Sequence, residues 1–302
     1  MKKTFLVLLN LMVASCLWAI TNPDGSKDKT AVCRDIINLN NGWKTHLLTA
    51  DEQKKLNAKS GNSFSSAVVS PEAFTTVNVP HNWDDYHGYR QLVHGNLHGA
   101  ALYTKDFIIR KKRRSRRYFL YFEGIGTYAT VKVNGQDLGR HPVGRTTLTL
   151  DATDALGSGR NTVEVLAEHP SIITDMPWIC GGCSSEWGFS EGSQPLGIYR
   201  PVRLVITDEI RIEPFGVHIW NNTTADSVFI ETEIKNYGKE RADFEYTGCF
   251  HEADGRKVAQ SAKKVSLEAG KTKVISQAFA IDTPRLWNPG TPYLYYLSST
   301  IK

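Results

Sequence analysis

Cysteine is scarce in this chain: five in 302 residues, at positions 16, 33, 180, 183 and 249. So few cannot form the dense disulfide framework of a small stapled scaffold. Cys180-Gly181-Gly182-Cys183 has the CxxC spacing, but no second CxxC follows to complete a zinc site. A redox CxxC belongs at a helix start in a βαβ unit, and no such pattern surrounds it. A disulfide within the loop and two free thiols remain the alternatives. Long apolar runs are missing too. The N-terminal stretch Phe5 to Val13, behind Lys2 and Lys3, is too short for a membrane-spanning helix. It reads as a targeting segment. Cleavage after Ala19 would release an ordinary secreted protein. Val13-Ala14-Ser15-Cys16 fits a lipobox equally well, with Cys16 as the lipidated N-terminus. The expectation is an exported chain, periplasmic or anchored as a lipoprotein. Charge of one sign is not in great excess, with 36 Lys and Arg against 31 Asp and Glu. Part of the excess lies in Arg110 to Arg117, between two strand patterns. A solvated hairpin loop is the expectation, and no nucleic-acid partner is implied.

Sustained helical periodicity is also lacking. Only Ala50 to Ala58, within a polar insertion reaching about Ser66, suggests a short surface helix. What is present is alternation of period two. Val163, Val165 and Ala167 alternate with Thr162, Glu164 and Glu168. Ala129, Val131 and Val133 alternate with Thr130 and Lys132, and Asn134-Gly135 follows as a strong hairpin signal. After Asp208, strands recur at short spacing: Val228 to Ile234, Phe244 to Phe250, Val265 to Leu267 and Thr272 to Ala280. This spacing suits an immunoglobulin-like sandwich. The predicted architecture is all-β: a jelly-roll (galactose-binding-like) β-sandwich over 32–207, then an immunoglobulin-like β-sandwich over 208–302. Residues 1–19 form the signal segment.

Several segments carry a family resemblance. Leu39-Asn40-Asn41-Gly42-Trp43-Lys44 looks like an opening strand, and Val79-Pro80-His81-Asn82-Trp83 like a VPHxW motif. Phe122-Glu123-Gly124, Val133-Asn134-Gly135 and Gly139-Arg140-His141 form an FEG…VNG…GxH series. Asp151-Ala152-Thr153-Asp154 matches a DxTD turn, and Gly197-Ile198-Tyr199-Arg200-Pro201-Val202 a GIYRxV strand. Pro284-Arg285-Leu286-Trp287-Asn288-Pro289 with Pro292-Tyr293-Leu294-Tyr295 matches PxLWxPxxPxLY. In this order they resemble the N-terminal half of glycoside hydrolase family 2, which includes β-galactosidases, β-glucuronidases and β-mannosidases. Trp83 and Trp287 are expected to fill core or interdomain space.

The resemblance implies relationship to enzymes that cut β-glycosidic bonds, but not an enzyme in itself. In the family two carboxylates belong to a (β/α)₈ barrel of about 250 residues. Two sandwiches already fill Leu39 to Lys302, and no Asn-Glu pair is present. No catalytic residue is assigned, and the chain by itself is expected to be inactive. If Lys302 is the end, the second sandwich lacks a last strand and exposes an edge. The resemblance does imply sugar contacts. An acidic residue six positions before the Gly of the GIYR strand is Glu191. The nearest Asn before the Leu102-Tyr103 strand is Asn96. Trp187 lies in the Gly- and aromatic-rich loop from Trp178 to Pro195 and suits stacking on a sugar ring. Against these stand a solvated Glu191, a loosely aligned Asn96 and a core Trp187. His94, His98 and His141 are not assigned a metal, and no cofactor is expected. The expected partner is a β-linked oligosaccharide. Two further readings stay open: a stand-alone carbohydrate-binding module, and a cell-surface interaction lipoprotein anchored at Cys16.

Overall fold

The computed structural model describes residues 34–58, 64, 66–84, 86–87, 90–91, 97–143, 146–171, 173 and 195–302. The chain is built from strands: β1 (Asp35–Asn38), β2 (Trp43–Leu47), β3 (Thr75–Val77), β4 (Tyr86–His87), β5 (Arg90–Gln91), β6 (Gly99–Ile109), β7 (Arg116–Phe122), β8 (Tyr128–Val133), β9 (Gln136–Pro142), β10 (Leu148–Asp151), β11 (Gly159–His169) and β12 (Val202–Asp208). Strands β1-β12-β7-β10 form a four-stranded antiparallel sheet, and β3-β2-β6-β11-β8-β9 a six-stranded one. Strands β4 and β5 make a small separate hairpin. Alternate residues of the two large sheets meet in a core of Trp43, Tyr103, Leu120, Phe122, Val131, Val163, Val165 and Leu204. Asn134 (φ 51°) and Gly135 (φ 82°) turn β8 into β9, both in the left-handed region that such a two-residue turn requires.

The six-stranded sheet is covered on its outer side as well. Helix α1 (Ala50–Ala58) and the segment after it lay Phe64 and Val69 on Leu48, Ala100, Leu102 and Leu166. Lys132, on the polar side of the alternation, is therefore buried. Its Nζ donates to the Phe64 carbonyl and sits 4.9 Å from the Phe64 ring centre. The helix starts at a capping box. Thr49 Oγ1 accepts from the Glu52 amide at 3.3 Å, and Glu52 Oε2 accepts from the Thr49 amide at 2.8 Å.

The second sandwich contains β13 (Ile210–Asn221), β14 (Ser227–Asn236), β15 (Ala242–His251), β16 (Lys257–Leu267), β17 (Thr272–Ala280) and β18 (Tyr296–Ile301). Sheet β13-β14-β17 faces sheet β16-β15-β18. Their core falls into two apolar clusters, one around Ile234, Tyr246 and Ile275, the other around Ile230, Phe250 and Phe279. Polar groups lie among them: Thr232 Oγ1 is 2.6 Å from the Tyr246 hydroxyl, which is 3.1 Å from Ser299 Oγ. Strand β18 pairs with β15 on one side and is an edge strand among the described residues. Cys249 in β15 is a buried free thiol.

Two expectations need correction. The basic run is not uniformly solvated. Arg110, Arg113 and Arg114 are exposed, but Arg116 is buried, with Nη1 at 2.7 Å from Asp208 and Nη2 at 3.6 Å from Asp35. Arg117 pairs with Asp151, and Lys112 Nζ donates to the carbonyls of Thr153 and Leu156. Strand β7 begins inside the run, so its end is drawn into the sheet. Trp287 is 58% exposed and fills neither the core nor a gap between the two sandwiches. Asn288 turns the chain there, with Oδ1 accepting from the amides of Gly290 and Thr291. Trp83 does pack partly buried against the first core.

Among the described residues, the two sandwiches meet at an aromatic and ionic knot. Phe119 lies on the outer side of β7 yet is buried. The Arg211 guanidinium lies over it at 3.9 Å, and the Tyr237 ring meets it edge-on at 5.0 Å. The Tyr237 hydroxyl donates to Glu213 at 3.0 Å, and Arg211 Nε is 3.3 Å from the same carboxylate. Burial lowers the Arg211 pKa and raises that of Tyr237.

Candidate sugar-binding rim

Asn96, Glu191 and Trp187 lie outside the described residues, as do His94, Cys16, Cys33, Cys180 and Cys183. The structure does describe where the candidate loops return to the sandwich. The segment Val79 to Asp84 runs antiparallel to Leu196–Ile198. The His81 amide donates to the Ile198 carbonyl at 2.8 Å, and the Trp83 amide to the Leu196 carbonyl at 2.9 Å. This pairing explains the glycine of the GIYR strand. Gly197 has φ +143°, and a Cβ there would overlap the Tyr103 hydroxyl and lie 2.7 Å from the His81 carbonyl. A Cβ on Gly126 would run into the Pro195 carbonyl. The segment 195–198 is thus inlaid against neighbours that leave no room for a side chain at Gly126 or Gly197.

Four rings brace this inlay. His81 meets Trp83 at 5.4 Å and Tyr103 at 5.8 Å, both edge-on, and Trp43 meets Tyr103 at 6.4 Å. The buried polar ends are partnered. His81 Nδ1 is 2.8 Å from the Tyr103 hydroxyl. Trp83 Nε1 donates to Thr45 Oγ1 at 3.2 Å, and that hydroxyl donates to the Leu102 carbonyl at 2.9 Å. Burial lowers the His81 pKa and raises that of Tyr103. Such a network braces the segment, and burial favours the uncharged forms of its imidazole and phenol.

Asp84 closes the arrangement. It is buried, and its two carboxylate oxygens serve two different segments. Oδ1 accepts from the Leu97 amide at 2.9 Å and Oδ2 from the Leu196 amide at 3.2 Å. The Asp84 amide in turn donates to Asn82 Oδ1 at 3.0 Å. Asn96 directly precedes Leu97, and Glu191 and Trp187 precede Leu196 by five and nine positions. The structure therefore brings together the returns of both candidate loops. The signal in the sequence was the acid placed immediately after the Trp of the VPHxW-like motif. An acid two residues from Asn82 and directly after Trp83 was open to reading as a buried anchor.

His98 and His169 lie beside these returns. Their rings are 4.9 Å apart and edge-on, and His169 is fully buried. Burial, reinforced by His98 and opposed by the Leu97 backbone, lowers the His169 pKa to about 4. His94 and His98 stand four apart, a spacing that would put them on one face only of a helix. Of the two only His98 is described, and it precedes a strand. His141 Nε2 lies 2.8 Å from the Leu138 carbonyl. Among the described residues no cluster of three His, Cys, Asp or Glu could hold a metal ion.

Comparison with known proteins gives two matches to one family. The profile "Glycosyl hydrolase 2 galactose-binding domain-like" matches residues 93–175, and "Glycosyl hydrolases family 2" matches residues 211–302. A β-glucuronidase of Formosa agariphila is 26% identical, over 75% of this chain and 25% of its own length. A β-galactosidase of Bacteroides ovatus is 25% identical, over 74% of this chain and 26% of its own. Among solved structures, a β-glycosidase from Bacteroides vulgatus is 26% identical with a TM-score of 0.63, covering 89% of this chain and 32% of that one. A family 2 β-glucuronidase structure superposes with a TM-score of 0.70 over 89% of this chain and 29% of its own, at 24% identity. The chain spans about a quarter of the length of the curated relatives it matches.

Proposed function

Because the chain belongs to glycoside hydrolase family 2, we propose that it is the non-catalytic front of a longer β-glycosidase and supplies one wall of its sugar pocket. The observation that carries this reading is the common anchorage of the two candidate loops on Asp84. Loops that return side by side can present Asn96, Glu191 and Trp187 to one ligand. The ligand class is a β-linked galactoside or glucuronide. The Glu191 carboxylate accepts from sugar hydroxyls, the Asn96 amide both donates and accepts, and Trp187 stacks on a ring face. The carboxylate pair that cleaves the bond belongs to a (β/α)₈ barrel outside these 302 residues.

The test uses the purified 302-residue chain. With 4-nitrophenyl β-galactoside and β-glucuronide it shows no turnover. With the methyl glycosides of the same two sugars it shows saturable binding for one, weakened about tenfold or more in Glu191→Ala. Turnover abolished by Glu191→Ala would sink the non-catalytic assignment, and flat titrations would sink the sugar wall. Export through the N-terminal signal segment, cleaved before Cys16 with lipid on that residue, belongs to the same proposal. It rests on the Lys2-Lys3 start and the Val13-Ala14-Ser15-Cys16 sequence. Lipid labelling that persists in Cys16→Ala would count against the anchor.

A further inference from the structure

We propose that the outer edge of β18 is an interface for a second copy of this chain. The two β18 strands pair antiparallel about a two-fold axis, with Ser299 of each copy opposite Ser299 of the other. The inference goes beyond the sugar-wall reading and does not rest on it. It begins with how the sheet edges are guarded. An exposed edge offers unpaired amides and carbonyls to any passing strand, so end strands carry charge, proline or bulges, or are short. Here β1, β3 and β10 have four, three and four residues. Strand β9 ends in Pro142 and has an irregular register against β8, and β13 holds Pro214 and an irregular register against β14. Exposed lysines line two more edges, Lys257, Lys263 and Lys264 on β16 and Lys273 on β17. Strand β18 has none of these devices. Its six residues, Tyr296 to Ile301, include no charge and no proline, and its register against β15 is unbroken. No strand covers its other side among the described residues. The sandwich is open on this side: β16 lies against β17 on the far one, and Ile219 and Trp220 of β13 remain 45% and 38% exposed.

The order of residues in β18 selects the occupant. Lys302 and Glu245 exchange both backbone bonds, each at 2.9 Å. In an antiparallel ladder the bonding side alternates along the strand. Thr300, Ser298 and Tyr296 therefore also turn their amides and carbonyls to β15, and Leu297, Ser299 and Ile301 turn theirs outward. A two-fold pair centred on Ser299 matches those outward residues to one another: Ser299 faces Ser299 and Leu297 faces Ile301, each pair exchanging both bonds. The side chains agree with this register. Leu297 and Ile301 pack partly buried against the two core clusters, and Ser299 Oγ lies 3.1 Å from the Tyr246 hydroxyl. The pair sets Leu297 beside Ile301 on that inner face and Ser298 beside Thr300 on the outer one, both favourable cross-strand combinations. Lys302, the charge at the end of this stretch, meets Tyr296 rather than a like charge. A strand of unrelated sequence gains nothing from this symmetry. Both copies use the same edge, so pairing consumes it and stops at a dimer.

The experiment follows the sedimentation of the 302-residue chain through a dilution series. The expected result is a reversible equilibrium between monomer and dimer. Two double variants test the register. Ser298→Lys with Thr300→Lys sets like charges opposite each other in both outer-face pairs. Ser298→Asp with Thr300→Lys sets opposite charges there. Both remove the contact of Ser298 Oγ with His251 Nε2 at 2.9 Å, so any loss from that contact is shared. The first is expected to dimerise about tenfold more weakly than the second. Equal dimerisation of the two, a native chain that stays monomeric at every concentration, or growth into larger assemblies would each overturn the proposal. If the variants fail to fold, amide exchange in the native chain decides. The amides of Leu297, Ser299 and Ile301 should be protected at high concentration and lose protection on dilution, while those of Ser298 and Thr300 stay protected by β15. Exchange at Leu297, Ser299 and Ile301 that does not change with dilution overturns the proposal.

Discussion

His169 sits at the end of β11 with no exposed surface and a second imidazole 4.9 Å away. Its pKa is about 4, against an ordinary value of 6.5. Between those two values the unfolded chain binds a proton that the native chain refuses. Stability therefore rises with pH through this window and is lost as pH falls from 6.5 towards 4. At full effect the linkage is on the order of 3 kcal/mol. His81, also lowered by burial, acts in the same direction. Urea midpoints at pH 7 and pH 4.5 measure the effect. His169→Gln is expected to narrow the gap between them, and an unchanged gap would show that the ring titrates normally. Other residues explain themselves in the same terms. Gly197 is glycine because the Tyr103 hydroxyl and the His81 carbonyl occupy the place of a Cβ.

Helix α1 is short and polar, too short to be stable alone, and its capping box supplies what length does not. Glu52 holds that box as a carboxylate: the Thr49 amide and His46, 3.0 Å away, lower its pKa to about 2. Thr49→Ala removes the hydroxyl and is expected to cost about 1 kcal/mol. The loss should appear as faster amide exchange in residues 50–56 with the second sandwich unaffected. Equal exchange in both proteins would remove the cap from the account. This element was legible in the sequence, from its helical letters between polar flanks, and so were the hairpin at Asn134-Gly135 and strands β14, β15 and β17; of β16 only its end, Val265 to Leu267, was read, and β13 and β18 were not. What alternation could not show is the outer cover of the six-stranded sheet. Lys132 reads as a solvent-facing residue, and only the chain 68 positions earlier, at Phe64, makes it an inside one. Arg116 misleads for the same reason: its partners Asp35 and Asp208 are far off in sequence. At the rim, the family resemblance named Asn96 and Glu191, and the aromatic loop Trp187, all three outside the described residues; Asp84 was not named. Asp84 matters through two backbone amides, which no residue letter announces.

On the scale of the molecule, two sandwiches share few side chains, and Arg211 stands at the centre of them. It packs on Phe119 and pairs with Glu213, while its Nε and Nη1 make no hydrogen bond of good geometry among the described residues. Its hold is therefore ring contact and charge rather than directed bonds. Arg211→Ala leaves Glu213 partly buried without its cation, at a cost of about 3 kcal/mol. Calorimetry is expected to resolve two transitions in this variant where the native chain gives one. A single transition shifted as a whole would place the coupling elsewhere. The first sandwich has a consequence of another kind. The first rim loop leaves after Trp83 and Asp84, and both loops re-enter at backbone amides held by the scaffold, Leu97 and Leu196. The stretches between those pins can be exchanged as cassettes. Recombination, or an engineer, can change their length and wording while the frame that receives them stays as it is.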